Sequence, residues 1–497
     1  MMSLPRFDAF IGGNRQAAFS GTYFETENPF TGKTWAQVAR CGDQEVDLAV
    51  KAAYQAFTAS PWSEMTASRR GFLLSRLGDL LAEHADELAH MEVRDNGKLL
   101  SEMSVQCAYM PQWYYYYGGL ADKIEGAVIP IDKSEMFNFT QHEPLGVIAA
   151  ITPWNSPLLL LSWKLAPALA AGNTVVVKPS EFTSTSTLRF AELVEEAGFP
   201  SGVVNVVTGY GNEVGAALVN HPLVAKVAFT GGSESGAIVY QAAARDLKRC
   251  SLELGGKSPN IVFDDAPVMD AVKGAISGIF AATGQTCIAG SRLLVQEGIY
   301  EEFVKELVTF AGTARMGDPM DQQTQVGPVT TPEQYEKILK YIEIAKAEGA
   351  RLLLGGRPAK GRKECGNSPW FIEPTIFGDV DNKMRIAQEE VFGPVLSVIR
   401  FKTDDEAIQI ANDIDFGLAA GVWTQSIKRA IRTSRAIRAG TVWVNTYRAV
   451  SYMTPFGGYK KSGIGRENGI EAIREYMQTK SVWISTAEDV PNPFIMR

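Results

Sequence analysis

Two periodicities divide the chain. From Leu73 the segment LLSRLGDLLAEHADEL sets leucines at 73, 74, 77, 80, 81 and 88, the spacing that gives a helix one apolar face. From Gly146 the texture changes to short, unbroken apolar runs, GVIAAI, NTVVVK, VVNVV and KVAFT, separated by stretches of helix-like composition. Strands apolar at every position are buried on both faces, so this alternation predicts a parallel sheet covered by helices. A second series, NIVF, SRLLVQ, RLLLG, GVWT and GTVWVN, begins near Pro259 and alternates with segments such as YEKILKYIEIAKAEG. Two α/β domains are expected. Their junction falls at Leu254-Gly255-Gly256-Lys257, where paired glycines should end one sheet and let the chain turn. The segment from Gly126 to Glu143 and the tail after Lys480 read as extended and lie outside both series, which suggests that they pair with each other or with another subunit.

Composition narrows the function classes. A chain of 497 residues, 45% hydrophobic, exceeds what one compact core organises. Its net charge of -8, with both signs interspersed, offers no basic stripe for a phosphate backbone, so nucleic acid is not an expected partner. The N-terminal MMSLPRFDAF has neither a basic nor an apolar signal region, and a cytoplasmic protein is expected. The most apolar stretch, PLLLLSWKLAPALAAG, is broken by Lys164 and Pro167 and falls short of the roughly 20 apolar residues that span a bilayer. It reads as a buried segment, and no membrane partner is expected. Five cysteines, at 41, 107, 250, 287 and 365, are scattered without a CxxC, so neither a disulfide frame nor a zinc site is indicated.

Chemistry concentrates at a few junctions. Cys287, in ATGQTCIAG, sits among small residues between a helix-like run (270 to 282) and the strand SRLLVQ, where a thiol can be approached closely. Taken alone, such a cysteine is more often a buried structural residue, and a nucleophile needs an electropositive setting or a nearby base. Glu253, in CSLELGGK, ends an apolar run next to the domain junction and offers a general base, although strand-end carboxylates are ordinary. Asn155 follows GVIAAIT in a turn fixed by Pro153 and Pro157, where its amide either caps the turn or stabilises an oxyanion. Lys178 and Glu181, in KPSE, put a cation and an anion at a strand's carboxyl end, suited to ribose hydroxyls and unfavourable to a 2'-phosphate; a surface ion pair is the plain alternative. FTGGSESG leads from a strand into a helix, so Gly231 and Gly236 bracket a turn that can receive a pyrophosphate. GYGNEVG, with Gly211 at its third position, misses the GxGxxG spacing by one residue and reads as a turn near a cofactor. No GxSxG, Walker lysine or HExxH motif occurs. The four histidines, at 84, 90, 142 and 221, look like surface or capping residues.

Taken in order, PWN at 153–155, KPSE at 178–181, FTGG at 229–232, ELGGK at 253–257, GQTC at 284–287, EEVFGPV at 389–395 and PFGGYKKSGIGRE at 455–467 strongly resemble the aldehyde dehydrogenase superfamily over nearly the whole chain. The resemblance implies an α/β fold with two Rossmann-like domains, cofactor-binding and catalytic, and a small β oligomerisation domain. Residues 1–125 and 144–256 would bind NAD, 257–467 would be catalytic, and 126–143 with 468–497 would assemble a homodimer or homotetramer. Carried over by position, Cys287 would be the nucleophile, Glu253 the base, and Asn155 with the Cys287 backbone N–H the oxyanion hole. Lys178 and Glu181 would hold the adenosine ribose, with Gly231 and Ser233 at the phosphate turn, Trp154 beside the cofactor, Glu390 on the nicotinamide ribose and Phe392 against the nicotinamide. The implied reaction oxidises a small-molecule aldehyde to its acid with NAD, NADP being the second choice, and needs no metal. Attack by Cys287 gives a thiohemiacetal, hydride loss leaves a thioester, and Glu253 activates the water that hydrolyses it. A CoA-acylating semialdehyde dehydrogenase, or a non-catalytic protein on this scaffold, would not need Cys287, Glu253 and Asn155 together. For the substrate, Tyr109, Trp113, Trp163 and Arg448 are candidate contacts, and Arg448 with the aromatics points to an aromatic or oxygen-rich, anionic aldehyde rather than a cationic one.

Overall fold

The computed structural model describes residues 4–59, 61–359, 363–366, 368–490 and 492–495. The apolar runs after Gly146 form strands β1 (Val147–Ile151), β2 (Thr174–Lys178), β3 (Val204–Val206), β4 (Val224–Thr230) and β5 (Arg249–Glu253). They pair in parallel in the order β3-β2-β1-β4-β5, so the order reverses beside β1. A crevice opens at the carboxyl ends of strands flanking such a switch point. Antiparallel strands extend both edges, Gly463–Ile464 beside β5 and Ala9–Ile11 with Asn14–Gln16 beyond β3. Those short N-terminal strands carry no apolar run long enough to predict them.

The second sheet contains β6 (Pro259–Val262), β7 (Arg292–Gln296), β8 (Thr375–Gly378), β9 (Val395–Phe401), β10 (Ala419–Trp423) and β11 (Thr441–Val444), in the order β8-β9-β7-β6-β10-β11. All neighbours in this set are parallel. The run RLLLG, expected among them, instead pairs antiparallel with β8 as an edge strand at Arg351–Leu354. Its half-exposed residues fit an edge better than a sandwiched strand.

Helices that shape the site are α1 (Leu100–Tyr109), α2 (Pro111–Leu120), α3 (Pro157–Ala170), α4 (Ser233–Arg245), α5 (Val268–Ile279) and α6 (Pro332–Ala347). The leucine-rich helix spans Ala67–Glu83 and breaks at His84 before a second helix at Ala85–Asn96. Helix α3 is the most apolar stretch of the chain; all but one of its residues are buried, as a helix apolar on every face must be. Met136–Pro144 and Met477–Ser485 pair with one another as an antiparallel ribbon separate from both sheets. No helix among the described residues is long and apolar enough to cross a membrane.

The junction works differently from its sequence reading. Neither Gly255 nor Gly256 has the left-handed φ a turn would require. They are small because a Cβ on Gly255 would sit 2.1 Å from Glu390 Oε2, and one on Gly256 would sit 2.8 Å from the Cys287 carbonyl oxygen. Close approach, rather than turning, demands glycine here.

Candidate active site

Strand register assembles one half of the site. Ile151 pairs with both Lys178 and Phe229, and Thr230 pairs with Glu253, so β1, β2, β4 and β5 end nearly abreast. The residues that follow these strands, Asn155 after β1, Gly231 after β4 and Glu253 closing β5, therefore share one sheet edge. The other half comes from the amino edge of the second sheet. Cys287 lies just before β7, and Glu390 and Phe392 lie just before β9. The chain crosses from β5 to β6 through Gly255-Gly256, which brings the two edges face to face.

The loop that carries Cys287 is wound tightly. Ala282, Thr283 and Gly284 are successive left-handed residues, at φ of 54°, 53° and 69°. A non-glycine residue in this region costs about 1–3 kcal/mol, so neighbours must hold it. Glu102 Oε1 accepts the Ala282 N–H at 2.7 Å, Thr283 Oγ1 donates to Gly327, and Gln285 Oε1 accepts the Thr330 N–H at 2.9 Å. Asn155 Nδ2 donates to the Gln285 carbonyl at 3.1 Å, which locks the amide against the cysteine loop.

Cys287 and Asn155 line two cavities at once. The larger, about 500 Å³, is walled by Tyr109, Trp113, Trp163, Phe456 and Arg448. The smaller, about 150 Å³, is walled by Trp154, Gly231, Glu253, Gln334, Glu390 and Phe392. Its partners are fixed: Glu390 Oε1 accepts the Gly256 N–H at 3.0 Å, and Trp154 stands edge-on to Phe392 at 5.3 Å between ring centres. Phe392 is itself left-handed, at φ of 57°, and Gln334 Nε2 pins its loop by donating to the carbonyls of Val391 and Phe392.

Electrostatics disfavour charge on both Cys287 and Glu253. Burial, then the carboxylates of Glu390 and Glu253, lift the Cys287 thiol to about 12, with Lys98 opposing. Burial, then Glu467, lifts Glu253 well above the carboxylate range, opposed by Lys164 and Arg466. Glu253 Oε2 is buried without a hydrogen-bond partner. Lys164, in the middle of apolar α3, is 1% exposed; it pairs with buried Glu467 and donates to Thr230 Oγ1 at 2.6 Å. In cofactor-free protein, iodoacetamide alkylation of Cys287 should therefore rise about tenfold per pH unit and still be climbing near pH ~9.5, where a free cysteine of pKa about 8.5 has levelled off. Mass spectrometry of the labelled peptide reads this out, and a plateau at an ordinary thiol pKa would contradict it.

Of the residues singled out from sequence, Cys287, Glu253, Asn155, Trp154, Gly231, Glu390 and Phe392 converge on the smaller cavity. Tyr109, Trp113, Trp163 and Arg448 converge on the larger. Lys178 and Glu181 lie further along the same sheet edge, paired at 3.0 Å with Lys178 buried. Ser233 opens α4, whose preceding Gly232 offers no side-chain cap and so leaves the helix-end N–H groups free for an anion. Gly211 is exposed, begins a five-residue π-helical turn at Gly211–Gly215, and lines neither cavity. Sequence reasoning missed Lys98, Glu102, Lys164, Gln285, Gln334 and Glu467. A lysine inside an otherwise apolar helix was the one available signal, for Lys164. No group of His, Cys, Asp or Glu among the described residues is arranged to hold a metal ion.

Residues 16–482 match the aldehyde dehydrogenase family. A (Z)-2-((N-methylformamido)methylene)-5-hydroxybutyrolactone dehydrogenase of Acinetobacter baylyi is 48% identical over 497 residues, covering 99% of this chain and 100% of the relative. Human retinal dehydrogenase 2 is 48% identical over 478 residues, covering 96% of this chain and 91% of the relative. The structure of Staphylococcus aureus betaine aldehyde dehydrogenase in complex with NAD+ superposes at a TM-score of 0.96 and 40% identity, covering 98% of this chain and 97% of the other. An NAD+ complex of aldehyde dehydrogenase from Bacillus cereus gives 0.94 at 44% identity, with 97% of each chain covered. With a matching family pattern over nearly its whole length, the chain belongs to the aldehyde dehydrogenase family.

Proposed function

We propose that the protein oxidises an aromatic or oxygen-rich aldehyde to the free carboxylic acid with NAD, using Cys287 as nucleophile. The observation that carries this reading is the position of Cys287 and Asn155 on the partition between two cavities. A covalent catalyst must meet its substrate on one side and pass a hydride to the other.

The chain's own residues fit a dinucleotide. Lys178 and Glu181 offer a donor and an acceptor for ribose hydroxyls, the uncapped α4 terminus suits a pyrophosphate, and Glu390 stands ready for a second ribose. The Glu181 carboxylate repels a 2'-phosphate, which favours NAD over NADP, and solved relatives at 40% and 44% identity are complexes with NAD+. When bound, NAD supplies the hydride acceptor. Residues 1–125 and 144–256 form the cofactor side in this reading, 257–467 the catalytic side, and the ribbon of 126–143 with 468–497 an oligomer contact, where Phe137, Trp483 and Ile484 lie exposed.

Cys287 Sγ, after its proton has passed to solvent, forms as thiolate the C–S bond to the aldehyde carbon, and the carbonyl oxygen takes the charge. The Asn155 amide and the Cys287 N–H receive that oxyanion, a contribution of about 3 kcal/mol per donor. After oxidation the acyl group remains on Cys287 as a thioester. Glu253, aimed at the same cavity, takes a proton from water as the water oxygen attacks the acyl carbon, and the Cys287 sulfur leaves. Glu253 favours hydrolysis over transfer to CoA. The name of the Acinetobacter relative, a formamide-bearing hydroxybutyrolactone dehydrogenase, supports an oxygen-rich substrate.

The test is a panel of aromatic, aliphatic, amino and carboxylated aldehydes with NAD, followed by NADH absorbance. Turnover without CoA is expected. Turnover only with added CoA would establish the acylating alternative, and none with NAD, NADP or CoA would leave a scaffold without this chemistry.

A further inference from the structure

Lys98 presents a buried positive charge in the wall of the larger cavity. It is 3% exposed and lines the cavity together with Cys287, Asn155 and Arg448. Its ammonium donates to Ser156 Oγ at 3.0 Å, and no carboxylate lies within ion-pair distance among the described residues. Lysines are almost never this buried without a counter-charge, because removing an ammonium from water is expensive. Glu102 stands in the same wall; its Oε1 accepts the Ala282 N–H that holds the cysteine loop, and its Oε2 is buried without a hydrogen-bond partner. Arg448 adds a second cation. Its backbone is left-handed at φ of 66°, its Nη1 donates to the Ser277 carbonyl at 3.4 Å, and it too has no carboxylate partner among the described residues. The wall therefore carries two cations to one carboxylate.

The rings that line the same cavity define the rest of the seat. Trp113 stacks on Trp163 at 6.1 Å and 15°, Tyr109 meets Trp113 edge-on at 5.1 Å, and Phe456 meets Trp163 edge-on at 4.9 Å. Aromatic faces accept a flat, unsaturated body. Burial pulls the Lys98 ammonium down to about 8, opposed by Glu102, so it stays largely charged at neutral pH and an incoming anion would hold that charge more firmly.

Building on the proposal that this cavity receives the aldehyde, we propose that Lys98 and Arg448 form a carboxylate seat, and that the substrates are flat aldehydes that also carry a carboxylate. Lys98 is then a specificity residue that lies outside the seven motifs quoted from the sequence.

The experiment compares 4-formylbenzoate with its methyl ester, which keeps the ring and the aldehyde and removes the charge. Wild type should favour the acid in kcat/KM by about tenfold or more, the worth of one charged hydrogen bond. Lys98→Met should lower that acid-to-ester ratio by about tenfold or more, mainly through KM, and Lys98→Arg should recover part of it. Arg448→Gln should lower the same ratio and guards against a folding defect in the lysine variant. Independently of turnover, calorimetry should show 4-methylbenzoate binding to wild type and losing about tenfold or more in affinity in Lys98→Met. A ratio unchanged in both variants, wild-type preference for the ester, or anion binding indifferent to Lys98 would each overturn the seat. Oxidation of propanal with no response to 4-formylbenzoate would overturn the seat alone, whereas failure on every aldehyde would fell the underlying reading.

Discussion

Replacing Cys287 by serine should lower kcat for aldehyde oxidation by about four orders of magnitude or more while leaving NAD affinity and the melting temperature close to wild type. The exchange of sulfur for oxygen hardly changes volume, so the loop at 282–286 keeps its hydrogen bonds to Glu102, Thr330 and Gly327. What changes is nucleophilicity, because a thiolate attacks a carbonyl far better than a buried hydroxyl that no nearby histidine can deprotonate. No other cysteine can substitute: Cys41, Cys107, Cys250 and Cys365 line neither cavity, and burial raises the thiols of Cys41 and Cys250 to about 11. Steady-state kinetics, tryptophan quenching by NAD and thermal melts check the three parts. A serine variant that retains a few per cent of activity would move the covalent step to another residue, with Thr286 the nearest candidate in the cavity wall.

The division of labour between sequence and structure follows physical lines. Apolar runs buried on both faces are visible as runs, so β1, β2, β4 and both sheets could be read directly, and so could Lys178, Asn155 and Glu253 as residues at strand ends. The short strands at Ala9–Ile11 and Asn14–Gln16 pair only at an edge and leave no such pattern. What periodicity cannot supply is the meeting of two edges. Glu390 and Phe392 were attached to the site by resemblance, and only the fold shows why Gly255 must lack a side chain beside Glu390. Long-range polar contacts were hidden for the same reason. Lys98 and Ser156, or Lys164 and Glu467, are separated by 58 and 303 positions, and neither partner's neighbourhood announces the other. Helical spacing relates Tyr109 to Trp113 in the sequence, but the convergence of Tyr109, Trp113, Trp163 and Arg448 on one cavity needs the packing of α1, α2 and α3.

Glu253→Gln should separate the two halves of the reaction. Glutamine keeps the shape of the side chain but cannot take a proton from water, so thiol addition and hydride loss should proceed once and hydrolysis should stall. The expected trace is a burst of about one NADH per active site followed by turnover reduced about 10²–10⁴-fold, with an acyl mass on Cys287 in the stalled enzyme. The wild-type hydrolysis rate should climb with pH, because burial and Glu467 hold Glu253 protonated well beyond the carboxylate range, and that limb should vanish in the variant. Stability should move the opposite way. A carboxyl group whose pKa is raised on folding binds more protons in the native than in the unfolded state, so its contribution to stability falls as pH rises from the unfolded value, about 4.3, through the native one. Glutamine removes that loss, and Glu253→Gln should therefore melt above wild type at neutral pH and converge with it in acid. Loss of the burst together with turnover would instead make Glu253 the base that activates Cys287, and unimpaired turnover would place water activation at another group.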